Sequence, residues 1–161
     1  MGFWLVLYNL MINKISSKDN TTFKYVKKLF DKSSFRKKEK KFIVEGTREI
    51  DLCIKSKFEI ECIFISDKKS QNLNYSNIEK ILITENLIKK IIYRESEGVF
   101  AIVKEKKQQL TDLKLNRDEL ILVLENPEKP GNVGAIMRTF NACGFKNIIM
   151  IDTKIDIYNP N

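Results

Sequence analysis

Hydrophobic and polar positions change period several times along this chain, and each change marks an element. Phe23, Val26, Leu29 and Phe30 recur at helical spacing and predict a short amphipathic helix, broken at Ser33-Ser34. The RKKEKK run that follows leads into a strand, Phe42-Ile43-Val44, which stops at Glu45-Gly46. Thr47 reads as the N-cap of a helix with Ile50, Cys53 and Ile54 on one side. Cys62–Ile65 and Lys80–Ile83 read as strands. Glu85–Tyr93 reads as a helix with Leu87, Ile88, Ile91 and Ile92 inward, and Val99–Val103 as a fourth strand after Gly98. The polar stretch Lys104–Gln109 is a linker, followed by a short element at Leu110–Leu115, so a domain boundary is expected near residue 106.

Beyond it the pattern sharpens. Leu120-Ile121-Leu122-Val123-Leu124 is a continuous apolar run, as in a parallel strand buried on both faces. The loop Glu125–Gly131 holds two prolines and a glycine. In NVGAIMRTFNACG, Val133, Ile136, Met137 and Phe140 form one helical stripe. Gly144 stops that helix, and Ile148–Ile151 is the next strand. The segment is one βαβ unit, and in open α/β sheets ligands meet the loops at the carboxyl ends of strands. Chemistry is therefore expected at Glu125–Gly131.

Composition narrows the chemistry. The 161 residues include no histidine, which removes Ser-His-Asp triads, Cys-His dyads and histidine metal sites. Cys53, Cys62 and Cys143 are odd in number and show no CxxC spacing. They read as buried reduced thiols in a cytoplasmic protein, with no metal site. The apolar run Phe3–Ile12 is about half of the roughly 20 residues a membrane span needs, and it lacks the basic start and cleavage site of a signal peptide. Met1–Leu10 reads as an extension ahead of the true start or a tail packing on a neighbour, with a membrane anchor as the alternative.

Charge is concentrated in one place. Nine basic residues lie between Lys24 and Lys41, opposed only by Asp31 and Glu39, so this stretch carries +7 of the chain's +8. Phe23, Tyr25, Phe30, Phe35 and Phe42 are interleaved with them. Clustered cations displace counterions from nucleic acid, so phosphate contact is expected here, with Arg36, Lys37, Lys38, Lys40 and Lys41 as the leading residues. A solvated basic face is the plainer alternative.

Two residues of the second segment carry candidate chemistry. Asn132 falls at the predicted N-cap, where its side chain meets exposed helical N–H groups and where a helix offers positive partial charge to an anion. Arg138 lies off the apolar stripe, among Gly134, Ala135 and Ala142, on a surface that another backbone or a ligand can approach closely. A routine cap and a solvated arginine are the structural alternatives. The loop is neither GxGxxG nor a Walker A sequence.

ENPEKPGNVGAIMRTFNACG, residues 125–144, resembles the first signature motif of the SpoU (TrmH-like) branch of the SPOUT RNA methyltransferases: Pro-Gly-Asn-(Leu/Val)-Gly, apolar residues, Arg-(Thr/Ser), then Gly. FIVEGTREIDLCI, residues 42–54, resembles the strand, Glu-Gly and helix of that family's amino-terminal substrate-binding domain, an α/β sandwich like ribosomal protein L30e. Gly98-Val99-Phe100-Ala101 resembles the segment that ends that domain, although Ser96-Glu97 departs from the usual His with Gln or Pro.

The resemblance implies an S-adenosylmethionine-dependent 2′-O-ribose methyltransferase of ribosomal or transfer RNA, rRNA ahead of tRNA, homodimeric at full length. It implies catalytic roles for Asn132 and Arg138, the arginine helping to deprotonate the ribose hydroxyl, and RNA contact at Glu45 and Gly46. Its second and third motifs, which form the trefoil knot and hold the cofactor, are not found, so no cofactor-binding residue is assigned in this chain. The expected organisation is an apolar extension at 1–13, an L30e-like RNA-binding domain at 14–106, and a partial SPOUT domain at 107–161, truncated before the knot. A non-catalytic L30e-type RNA-binding protein is the alternative. A small-molecule phosphate binder using the Asn132 helix end is a third, and it predicts that residues 24–41 are dispensable.

Overall fold

A computed structural model of the chain describes residues 14–68, 75–92, 98–113 and 119–160. The apolar start, the expected helix end at Tyr93, the departure at Ser96-Glu97 and the end of the short element at Leu115 lie outside these residues. The chain divides into two compact units at Lys106, Tyr158 onward grouping with the first and Lys107–Ile157 forming the second.

In the first unit, Asn20 opens helix α1 (Thr21–Asp31) because its Oδ1 accepts from the backbone N–H groups of Thr22 and Phe23 at 2.9 and 3.2 Å. The predicted stripe is inward: Phe23, Val26, Leu29 and Phe30 are all buried. The break comes at Lys32, in extended conformation, and not at Ser33-Ser34. The serines begin a second helix, α2 (Ser33–Glu39), so most of the basic run is helical instead of leading straight into a strand. Lys40, at φ 55°, turns the chain into β1 (Lys41–Glu45). Gly46, at φ 99°, is the N-cap of α3 (Thr47–Lys55), which makes Thr47 its first helical residue. The left-handed turn that glycine takes readily lets the strand pass directly into the helix.

Strands β2 (Ile60–Ser66), β3 (Glu79–Ile83) and β4 (Val99–Lys104) complete a four-stranded sheet of order β1-β4-β2-β3. β4 pairs antiparallel with both β1 and β2, whereas β2 and β3 are parallel. Side chains alternate between two cores. Ile43, Phe64, Phe100 and Ile102 meet the α1 stripe and the Leu87, Ile88, Ile91 and Ile92 cluster around the short helix α4 (Glu85–Ile88). Phe42, Ile63, Ile65, Val99, Ala101 and Val103 gather with Ile50 of α3 on the other face. Both faces of β4 are therefore buried, with Phe100 stacked on Phe64 at 4.6 Å.

In the second unit, β5 (Ile121–Glu125) and β6 (Asn147–Ile151) pair in parallel, joined by α5 (Pro130–Ala142). A short 3-10 turn, Leu110–Asp112, precedes them. Burial of β5 on both faces is not observed: Val123 is 52% exposed, and the adjoining Leu120 57%. Among the described residues of this unit, only Val133 is buried. One helix over two strands leaves the rest of each apolar face without a layer against it.

The thiols also differ from expectation. Cys62 is buried, with its pKa pushed up to about 12 chiefly by loss of hydration, but Cys53 is half-buried and Cys143 is exposed at the end of α5. No group of His, Cys, Asp and Glu among the described residues is arranged to hold a metal ion. No described helix is long and apolar enough to cross a membrane.

Candidate functional site

The second unit places its candidate chemistry at the carboxyl end of β5. Asn126 follows the strand at φ 44°, and its N–H donates to the Ile151 carbonyl at 2.9 Å. Asp152 leaves β6 at the same level with φ 51°. Beside this edge, a groove of about 490 Å3 is lined by residues 123–129 and by Asn132, Val133 and Ile136. It is shallow, because seven of its ten lining residues are exposed.

Asn132 lines this groove but does not cap the helix. α5 starts two residues earlier, at Pro130, and its N-cap is Lys129 with no side-chain bond. Proline's fixed φ suits the first helical position, where its missing N–H costs nothing. Asn132 is thus the third helical residue, exposed, with its side chain not engaged in capping. Arg138 is exposed and does not line the groove. Its Nη1 lies 3.8 Å from where a Cβ on Gly134 would stand, which is ordinary van der Waals contact. Gly144, at φ 86°, follows the C-cap Cys143 as the helix stop.

The basic run is sorted by the first unit into inward and outward members. Arg36, expected at the surface, is buried at 4% exposure, and its Nη1 donates to the Leu29 and Phe30 carbonyls at 2.6 Å each. It is removed from the set of phosphate-facing residues, because it is buried and its Nη1 closes the open carboxyl end of α1. Lys37 and Lys38 are exposed. Lys40 lies 3.8 Å from Glu105, and half-buried Lys41 pairs with Glu61 at 2.5 Å. The Glu61 hydrogen bond holds the Lys41 ammonium above its usual pKa, and its Nζ stands 5.8 Å from the Tyr25 ring centre. Tyr25 donates to Glu39 at 3.1 Å, and burial with that bond raises its own pKa.

Glu45 and Gly46 do not join this cluster. They sit at the far end of β1 from Lys41, four residue steps or about 13 Å along the strand. Gly46 donates there to the Val99 carbonyl at 3.1 Å, beside Gly98. The loop Glu125–Gly131, where chemistry was expected, contributes Glu125–Lys129 to the groove, although sequence reasoning named neither Asn126 nor Lys129 individually. Only the Asn-Pro dipeptide, a turn former, marked that position.

Comparison with known proteins follows the same division. Residues 11–101 match the MRM3-like substrate binding domain, and residues 119–161 match the SpoU rRNA Methylase family. The 23S rRNA (uridine(2479)-2′-O)-methyltransferase of Streptomyces viridochromogenes is 23% identical over 149 residues, covering 88% of this chain and 52% of that protein. The crystal structure of an RNA 2′-O ribose methyltransferase is 27% identical with a TM-score of 0.74, covering 91% of this chain and 58% of that one. The SpoU methyltransferase AviRb from Streptomyces viridochromogenes, solved in complex with the cofactor AdoMet, superposes with a TM-score of 0.79 at 22% identity, covering 88% of this chain and 56% of that one. The chain thus spans about half the length of these relatives. With an α/β fold shared across both units and a family match over each, this chain belongs to the SpoU rRNA methylase family and carries an MRM3-like substrate-binding domain.

Proposed function

We propose that the chain is part of an S-adenosylmethionine-dependent RNA 2′-O-ribose methyltransferase acting on ribosomal RNA. Its first unit holds the RNA, and its second supplies the edge at which the ribose is presented. The observation that carries this is α5: within the segment matching the SpoU methylases, it starts at the carboxyl end of β5 and sets Asn132 into the groove. The Asn132 amide can both donate to and accept from a ribose or phosphate. Arg138 makes no ion pair among the described residues, so its guanidinium is open to a phosphate beside the reacting sugar. Held there, it anchors the phosphate that carries the reacting sugar.

The described residues do not by themselves fit the cofactor. Adenine and methionine parts need a concave, mostly apolar pocket, and only Val133 of the groove lining is buried. A homodimer and a cytoplasmic setting belong to the same proposal, the latter supported by three free thiols. The test is Arg138→Ala in a form extended to the relatives' length: methyl transfer to rRNA should be lost with the fold intact. Near-normal turnover would return Arg138 to a solvated surface residue.

A further inference from the structure

We infer that the RNA phosphates are gripped by Lys28, Lys32, Lys37 and Lys38, at the corner where α1 passes into α2, with buried Arg36 as the residue that positions them. The inference rests on the RNA-binding function proposed above and assigns it to one part of the basic run. Four lysines of that run already have a carboxylate: Lys24 with Asp19 at 3.1 Å, Lys27 with Asp31 at 2.8 Å, Lys40 with Glu105 and Lys41 with Glu61. A phosphate approaching such a pair meets little net charge. Among the described residues, no carboxylate stands within ion-pairing distance of Lys28, Lys32, Lys37 or Lys38, and all four are exposed. Four of the run's positive charges are therefore uncompensated, and they are the four around this corner.

The corner keeps them close together and available. Lys28 and Lys32 are one helical turn apart, the Lys32 N–H donating to the Lys28 carbonyl at 2.9 Å. Lys28 Nζ lies 6.0 Å from the centre of the Phe35 ring, which ties it to the first turn of α2. Lys38 lies six residue steps beyond Lys32 along α2, roughly 9 Å of helical rise, close to one Debye length in physiological salt. Arg36 explains why the ammonium groups stay outward. The last carbonyls of a helix attract lysine side chains, but here Arg36 occupies those of Leu29 and Phe30. Its two bonds also fix the angle at which α2, and so Lys37 and Lys38, leaves α1.

The experiment compares two charge-matched variants of the whole chain, K28Q/K32Q/K37Q/K38Q and K24Q/K27Q/K40Q/K41Q. Binding to a labelled rRNA hairpin is followed by anisotropy from about 50 to about 400 mM KCl, roughly an eightfold salt range. The slope of log affinity on log salt should fall by roughly 3 to 4 in the first variant and by less than 1 in the second. Equal losses in the two would overturn the assignment to the corner. If the unaltered chain shows no salt-dependent binding, the RNA function itself fails, a different result from equal losses. For the positioning role, folded Arg36→Met should lower the slope although no phosphate contact is removed, and Arg36→Lys should restore part of it. A folded Arg36→Met chain with the full slope would remove Arg36 from the grip.

Discussion

Arg36 Nη1 donates to the Leu29 carbonyl across 2.6 Å, so the carboxyl end of one helix is closed by a side chain from the next. The same nitrogen reaches Phe30, and the arginine is almost wholly out of solvent. Arg36→Met should therefore cost about 2 kcal/mol, the usual size for hydrogen bonds to a charged donor. Urea denaturation followed by circular dichroism measures it. A loss below about 0.5 kcal/mol would show that water satisfies those carbonyls as well as the arginine does.

Gly134 offers the opposite case. It lies inside α5, and a Cβ there would touch nothing closer than the Arg138 guanidinium at 3.8 Å. Gly134→Ala should stabilise the second unit by about 0.5–1 kcal/mol, through helix propensity alone. A higher midpoint in thermal melting would confirm it. A lower one would mean that the guanidinium has no room to shift.

Acid should weaken the first unit through Asp67. Its hydrogen bond from Lys14 holds the carboxyl below its ordinary value of 3.8, aided by the Glu85 N–H. A depressed folded pKa gives stability that is present above the unfolded value and lost as pH falls through the folded one. The loss should therefore begin below about pH 4, and Asp67→Asn should flatten it. Denaturant midpoints taken from pH 6 down to pH 2.5 would decide, and parallel curves for the two proteins would exclude the Lys14 contact as the source.

Thiol reactivity should separate the cysteines. Cys62 is buried with its pKa near 12, so almost none of it is thiolate at pH 8, whereas Cys143 is exposed. Iodoacetamide followed by mass spectrometry should find Cys143 modified first and Cys62 only after unfolding. Equal rates would contradict the buried position of β2.

The chain as it stands should not bind S-adenosylmethionine at micromolar concentrations. Its groove is open, with Val123, Glu125 and Glu128 all exposed, whereas such a ligand needs a concave and mostly apolar pocket. Isothermal titration calorimetry tests this directly, and a saturable micromolar isotherm would overturn it.

The strands were legible because apolar runs and their Gly or Pro boundaries determine them: Val99–Val103 differs from the observed β4 by one residue. The helix over Ser33–Glu39 was not, since a run of charges has no apolar period to read. Its one internal signal is Phe35, which packs edge-on against Tyr25 at 5.4 Å. Burial of Arg36 was hidden for the same reason. The available sign was negative: no glycine follows Asp31, so the open carbonyls of α1 needed a donor from elsewhere. The start of α5 was placed at Asn132 by its capping preference, although Pro130 was the stronger marker. Separation of Lys41 from Glu45 is a matter of strand length, and no motif comparison displays it.

β4 is the last strand of the first unit to be synthesised, and it is the one that joins β1 to β2. While the ribosome is still working through the preceding residues, β1 has no partner in the sheet, and β2 can pair only with β3. Phe64 lacks its stacking partner over the same interval, because Phe100 arrives with β4. The sheet therefore closes in one late, long-range step once residue 104 is clear of the exit tunnel, and this step should govern how fast the nascent chain escapes aggregation.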